Sequence, residues 1–132
     1  MLAIEIRRIL ITGGCGFVGS ALARAFRRLT PVTEIVILDN LHRTGSEINV
    51  QPLKSAGCNI VHGDVRCWQD WSDLTGNFDL IIHASAEPSV HAGVGSSPFY
   101  VIETDLTGTL HCLEFLRQRG GALIFLSSSR VY

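Results

Sequence analysis

Apolar positions along the chain fall into short, nearly unbroken runs rich in β-branched residues, separated by stretches in which they recur every three or four residues. The runs are Arg8-Ile9-Leu10-Ile11-Thr12, Glu34-Ile35-Val36-Ile37-Leu38, Asn59-Ile60-Val61-His62, Asp79-Leu80-Ile81-Ile82-His83 and Ala122-Leu123-Ile124-Phe125-Leu126. Runs without polar alternation predict strands covered on both faces. Their alternation with helical stretches predicts a doubly wound α/β domain with a parallel sheet and right-handed crossovers. Five strands in the order 3-2-1-4-5 are expected.

Between the strands, Val18 to Leu29 places Val18, Leu22, Ala25, Phe26 and Leu29 at helical spacing, and Thr30-Pro31 ends the segment because proline disfavours helical geometry in the residue before it. Ser46 to Ala56 predicts a weaker helix stopped by Gly57. Cys67 to Leu74 is short and polar and does not decide between helix and loop. The longest helix is expected from Ser97-Pro98, where proline suits the first turn, to about Arg119, where Gly120-Gly121 stops it. Its Thr107-Gly108-Thr109 forms helix poorly, which predicts close packing there against a neighbour or a ligand.

Composition narrows the class. A chain of 132 residues, 46% hydrophobic, supports one core and one domain. A formal charge of −1 with acids and bases interspersed gives no basic stripe for nucleic acid or an anionic membrane surface. Cys15, Cys58, Cys67 and Cys112 form no Cys-x-x-Cys pair and sit among apolar neighbours, so buried, reduced thiols are expected. The N-terminal segment carries Glu5, Arg7 and Arg8 ahead of the apolar Ile9-Leu10-Ile11, the reverse of a secretory leader, and no stretch approaches the roughly 20 apolar residues of a membrane span. A cytoplasmic protein is expected. The run at 122–126 leads into Ser127-Ser128-Ser129-Arg130-Val131-Tyr132, where the sequence stops without a covering helix, so a piece of a longer domain is expected.

The first strand runs into Thr12-Gly13-Gly14-Cys15-Gly16-Phe17-Val18-Gly19, which opens a helix. Gly13 permits a tight turn, Gly16 lets backbone approach a pyrophosphate, and Gly19 lets the helix pack closely on the sheet. Free amides at the helix start, around Phe17 and Val18, then face phosphate charge. The second strand leads to Asp39, 20 residues beyond Gly19, where a carboxylate accepts from adenosine ribose hydroxyls and repels a 2′-phosphate. NAD is therefore expected over NADP, although Arg43 lies nearby. Asn40 and Leu41 continue that edge, and Gly63-Asp64-Val65 follows the third strand, where Asp64 can reach the adenine amino group while Val65 packs on the ring. His83-Ala84-Ser85-Ala86 supplies small residues where backbone passes close to a cofactor. Each feature also has a plainer reading: a bare turn for the glycines, a cap for Asp39, a crowded turn for Ala84 to Ala86.

Together these segments make a Rossmann-type pattern and resemble the extended short-chain dehydrogenase/reductase family, the NAD-dependent sugar-nucleotide epimerases and dehydratases. Thr12-Gly13-x-x-Gly16-x-x-Gly19, Leu38-Asp39-Asn40-Leu41, Gly63-Asp64-Val65, His83-Ala84-Ser85-Ala86 and the serine run before Tyr132 follow that family's order. Ala86-Glu87-Pro88-Ser89-Val90, with Ser97-Pro98 and Cys112-Leu113-Glu114, looks most like members acting on a nucleotide-linked deoxysugar, CDP-paratose 2-epimerases among them. Asp105 stands where relatives usually carry asparagine, which puts any contact needing an amide donor in doubt.

The resemblance implies NAD, a nucleotide-sugar substrate, a keto-sugar intermediate and a homodimer in which the long helix takes part. It also implies a tyrosine base with a lysine four residues later, and Ser128 as the helper that holds the substrate oxygen. Tyr132 belongs to the strand-end motif, and Tyr100 is followed at 104 by threonine, so no Tyr-x-x-x-Lys occurs within these 132 residues and NAD binding without turnover is expected of them. The rival reading is a non-catalytic dinucleotide sensor, which a sequence lacking the pair downstream would favour. His42, His62, His83, His91 and His111 lack paired ligand spacing, so no metal is expected. Trp68 and Trp71 are expected to pack, and the serines lack the Gly-x-Ser-x-Gly elbow of a hydrolase.

Overall fold

The computed structural model describes residues 5–89 and 91–127. Along the chain come β1 (Arg8–Thr12), α1 (Phe17–Leu29), β2 (Glu34–Asp39), a 3₁₀ turn (Ser46–Asn49), α2 (Val50–Ser55), β3 (Asn59–His62) and α3 (Trp68–Ser72). Then follow β4 (Leu80–His83), α4 (Phe99–Ile102), a π-helical turn (Glu103–Thr107), α5 (Gly108–Arg119) and β5 (Ala122–Phe125). The five strands form one parallel sheet in the order β3-β2-β1-β4-β5, with Leu10 opposite Val36 on one side and Ile81 on the other. The predicted order and count are those observed.

Strand geometry splits the apolar runs between two cores, because successive side chains point to opposite faces. Ile9, Ile11, Ile35, Ile37 and Ile82 meet Ala23 of α1 and Leu53 of α2. Leu10, Val36, Leu38 and Ile81 meet Trp71, Leu74, Phe78, Cys112 and Phe115. The sheet is therefore covered on both faces at β1, β2 and β4. At β3 and β5 the burial expected from the apolar runs is not reached: Val61, Ile124 and Phe125 are exposed, since a flanking strand has one neighbour and little helix above it.

Three helical expectations change. Within α1 the buried residues are Gly19, Ser20 and Ala23, with Leu22 and Phe26 packed against the core, while Val18 and Leu29 are exposed. The small residues win because they let the helix lie close to the loop and strands, so the larger residues at its ends turn outward. The Ser46–Ala56 segment is a 3₁₀ turn followed by a short helix. The long helix is interrupted by the π-helical turn, and Gly108 lies at its end, where a Cβ would stand 2.8 Å from Val65 Cγ2. The neighbour implied by the Thr-Gly-Thr patch is thus Val65.

Cys15, Cys58 and Cys112 are buried but Cys67 is exposed, which corrects the expectation of four buried thiols; it precedes α3 at the rim of the domain. Burial pushes the Cys15 and Cys112 thiols up to about 12, so both are neutral. Among the described residues no helix is long and apolar enough to cross a membrane.

Candidate nucleotide-binding site

Parallel strands ending at one edge leave a crevice there, and the strand order reverses between β1 and β4, the usual position of a ligand in such sheets. In this chain that crevice is a cleft of about 620 Å³. The glycine loop, the ends of β2, β3 and β4, and the start of the long helix line it.

The loop is held from several sides. Gly13 has φ +65°, donates to Leu38 O at 2.8 Å, and approaches the β4 end so closely that a Cβ would lie 2.9 Å from Ala84 O. The chain turns next to Gly14, whose missing side chain makes room for Ile37: a Cβ would fall 2.6 Å from Ile37 Cγ2. It is thus Gly14 that lies against the sheet. Gly19, assigned that part from the sequence, instead faces the loop itself, where a Cβ would land on Gly13 O and 2.6 Å from Gly14 Cα. Asn49 Nδ2 donates to Cys15 O at 2.9 Å and so ties the loop to the 3₁₀ turn.

Gly16 caps α1, and the first helical bond runs from Ser20 N to Gly16 O. The amides of Phe17, Val18 and Gly19 precede it and have no acceptor within the helix. Phe17 and Val18 are exposed at the cleft, so these donors and the positive end of a 13-residue helix are presented there.

Asp39 sits at the end of β2, 9% exposed. Its Oδ2 accepts from Cys15 N and its Oδ1 from Leu41 N, both at 2.8 Å. A carboxylate with one bond on each oxygen keeps about one free acceptor position on each. Asp39 therefore shapes the loop and still offers acceptors to the cleft. Leu41, at φ +55°, turns its side chain to the core beside α1 and does not line the cleft. Asn40 does line it, but its amide donates to Asp64 Oδ2 and its Oδ1 accepts from His42 N.

Asp64 and Val65 occupy the wall beyond β3, and Ala84, Ser85 and Ala86 the floor beyond β4. The Arg66 guanidinium beside Asp64 is the main cause that holds its carboxyl well below the usual carboxylate range. Ser128 lies outside the described residues, as does Tyr132.

Thr104 is a cleft residue that sequence reasoning missed. It lies in the π-helical turn, is buried at the cleft, and its Oγ1 has no hydrogen-bond partner among the described residues. A buried hydroxyl without a partner is costly, and its position suits a ligand group or a water in the cleft. The only sequence signal was a polar residue on the inward face of a long helix. Asp105, next to it, accepts from Glu87 N at 2.9 Å. That contact uses Asp105 as an acceptor and needs no amide donor.

His83 ends β4 in the core, sharing a 2.8 Å hydrogen bond with the Thr12 hydroxyl and stacking on Phe125. Burial lowers it from 6.5 to about 4. Between those values the unfolded chain binds a proton that the folded chain refuses, so stability falls as pH drops through that window and levels off below it. The expected loss is about 2 kcal/mol between pH 7 and pH 5. Urea midpoints at the two pH values measure it, and a His83→Asn variant should lose less on acidification. Asp64 and Asp79, held low by hydrogen bonds, release their contribution only below the ordinary carboxylate range and do not overlap this window.

Among the described residues no group of three or more His, Cys, Asp or Glu is placed to hold a metal.

The fold and cleft define the class: a Rossmann-type α/β domain with its glycine loop at the carboxyl edge of the sheet. The chain belongs to the NAD dependent epimerase/dehydratase family, whose model matches residues 9–132. It is 36% identical over 132 residues to a dTDP-glucose 4,6-dehydratase of Streptomyces niveus, covering 95% of this chain and 39% of that protein. Over 130 residues it is 34% identical to a CDP-paratose 2-epimerase of Salmonella typhi, covering 95% of this chain and 38% of that protein. The solved ADP-L-glycero-D-manno-heptose-6-epimerase of Helicobacter pylori superposes with a TM-score of 0.82 at 30% identity, over 97% of this chain and 41% of that one. The chain spans well under half the length of these proteins. These relatives include a dehydratase and an epimerase, so the likeness does not separate the two activities.

Proposed function

We propose that this chain binds NAD across the cleft and supplies the cofactor-binding portion of an enzyme that epimerises or dehydrates a nucleotide sugar by hydride transfer through a keto-sugar intermediate. The observation that carries the reading is the meeting, in one cleft, of the free amide end of α1, the Asp39 carboxylate and the buried Thr104 hydroxyl, which has no partner among the described residues. These groups fit a dinucleotide: the amides face a pyrophosphate, the remaining acceptor positions of Asp39 take ribose hydroxyls, and Thr104 supplies a donor on the opposite wall. Ala84, Ser85 and Ala86 leave the backbone accessible beside them, and Val65 offers an apolar surface to the base. Bound NAD supplies the hydride acceptor and, on the return step, the donor.

In the same reading Ser128 holds the substrate oxygen, and a nucleotide sugar is the partner molecule. A second copy of the chain belongs against the long helix, where Ile102, Leu106, Leu110 and Leu113 are exposed.

Thermal unfolding with NAD, with NADP and without ligand tests the reading. NAD at a hundred times its dissociation constant is expected to add about 2.7 kcal/mol. NADP should add far less, because Asp39 repels a 2′-phosphate, and Gly16→Val should abolish the effect by filling the pyrophosphate approach. No stabilisation by NAD would sink the proposal.

A further inference from the structure

The segment from Leu41 to Ser46 is anchored at its two ends and open between them. Leu41 turns into the core beside α1 and Ser46 is buried at the start of the 3₁₀ turn, whereas His42, Arg43 and Thr44 are exposed. Leu41 and Gly45 bracket this strap with φ +55° and +97°, and a Cβ at Gly45 would meet nothing within 4 Å. A short exposed strap with few packed contacts opens at little cost.

The strap sends one side chain across the cleft. The His42 ring meets the Tyr100 ring of α4 at 5.1 Å between centres, and both residues line the cleft, His42 from beyond β2 and Tyr100 from the start of the long helix. Tyr100 is the steadier partner: it is half-buried, and the Arg66 guanidinium lies 4.8 Å from its ring centre while pairing with Asp64 at 2.7 Å. Asn40 completes a belt of five residues, donating to Asp64 Oδ2 at 2.9 Å and accepting from His42 N at 3.0 Å. The other links are hydrogen bonds, an ion pair and a cation–π contact. Among the described residues the His42 ring makes no hydrogen bond, so its contact with Tyr100 is the link that parts most easily.

A dinucleotide on the glycine loop, with its ribose at Asp39, puts its adenosine between these walls. We propose that the His42–Tyr100 contact is a latch across the adenosine end of the cleft, which parts to let a dinucleotide in or out and re-forms over the bound ligand. It rests on the NAD reading above. A latch closed over both the empty and the filled cleft slows entry and exit alike, so removing it leaves affinity nearly unchanged. A residue that only touches the ligand slows exit alone.

Stopped-flow mixing of the chain with NADH, followed by the cofactor's fluorescence, gives the association rate, and displacement by excess NAD gives the dissociation rate. His42→Ala is expected to raise both about fivefold, the worth of one aromatic pair, while the dissociation constant moves by less than about twofold. His42→Phe keeps a ring against Tyr100 and should retain the rates of the unmodified chain. A change confined to one of the two rates in His42→Ala overturns the inference, as does no change in either, or rates in His42→Phe that match those of the alanine variant. Thermal unfolding checks that both variants fold, and His42→Ser, with the same expectation, takes the place of an alanine variant that does not. If the unmodified chain binds neither NADH nor NAD, the NAD reading itself fails and the latch with it.

Discussion

Trp71→Ala is expected to lower the unfolding free energy by about 4 kcal/mol, at the high end for a core substitution. The side chain is fully buried, its ring centre 5.6 Å from that of Phe115, and it packs in the core beneath β1 and β4. Three effects add. The apolar surface of an indole is lost, a cavity opens that the sheet above cannot collapse into, and Val65 O loses the 2.9 Å bond from Trp71 Nε1. Val65 O keeps its hydrogen bond with His111 Nδ1, so the third effect is the smallest. Urea unfolding of the variant beside the unmodified chain measures the change, and a loss under about 2 kcal/mol would show that the site relaxes. Because Val65 also lines the cleft, a parallel loss of NAD affinity is expected.

Gly19→Ala should cost about 3 kcal/mol, the upper part of the range for overpacking, and remove NAD binding. A side-chain neighbour can rotate away, but the added methyl would meet the Gly13 carbonyl and Gly14 Cα, and both belong to backbone. Relief requires the loop to move as a unit. That loop is anchored by Gly13 N to Leu38 O, Cys15 N to Asp39 and Asn49 to Cys15 O, so movement disrupts the amides presented to the cleft as well. Gly16→Ala provides the contrast. Its methyl would lie 3.2 Å from Gly13 O, and Gly16 has φ −71°, an ordinary value for any residue. A loss under 1 kcal/mol is expected there. Equal losses at the two positions, in chemical denaturation, would contradict the packing argument.

Much of the fold was legible because the strand signal is local. Five unbroken apolar runs, each followed by a turn or helix, leave few arrangements once crossovers are right-handed, and β1, β2 and β4 are buried as that pattern requires. The exposure of β3 and β5 was not legible, since Asn59-Ile60-Val61-His62 and Ala122-Leu123-Ile124-Phe125 read like the central runs while their burial depends on what lies beside them. The π-helical turn was hidden for a related reason. Periodicity shows that residues 98–119 are helical, but the shift at Glu103–Thr107 moves one turn by a fraction of a residue, and it brings Thr104 to the cleft and Asp105 to Glu87 N.

In the candidate site, position was readable and occupancy was not. Gly13, Gly16, Asp39, Asp64 and the Ala84–Ala86 segment follow strand ends, and strand ends of a parallel sheet share one edge, so the chain order alone brings them to one cleft. Whether a given carboxylate is free there depends on partners up to 24 residues away: Asp39 on Cys15 N, and Asp64 on Asn40. The pattern of apolar runs and glycines, set by local sterics and hydrophobic period, was enough to dictate a doubly wound sheet and a nucleotide-type loop. Which glycine meets the sheet, which acid keeps its acceptors and which hydroxyl is left without a partner were decided only when packing brought distant atoms within hydrogen-bond and van der Waals range.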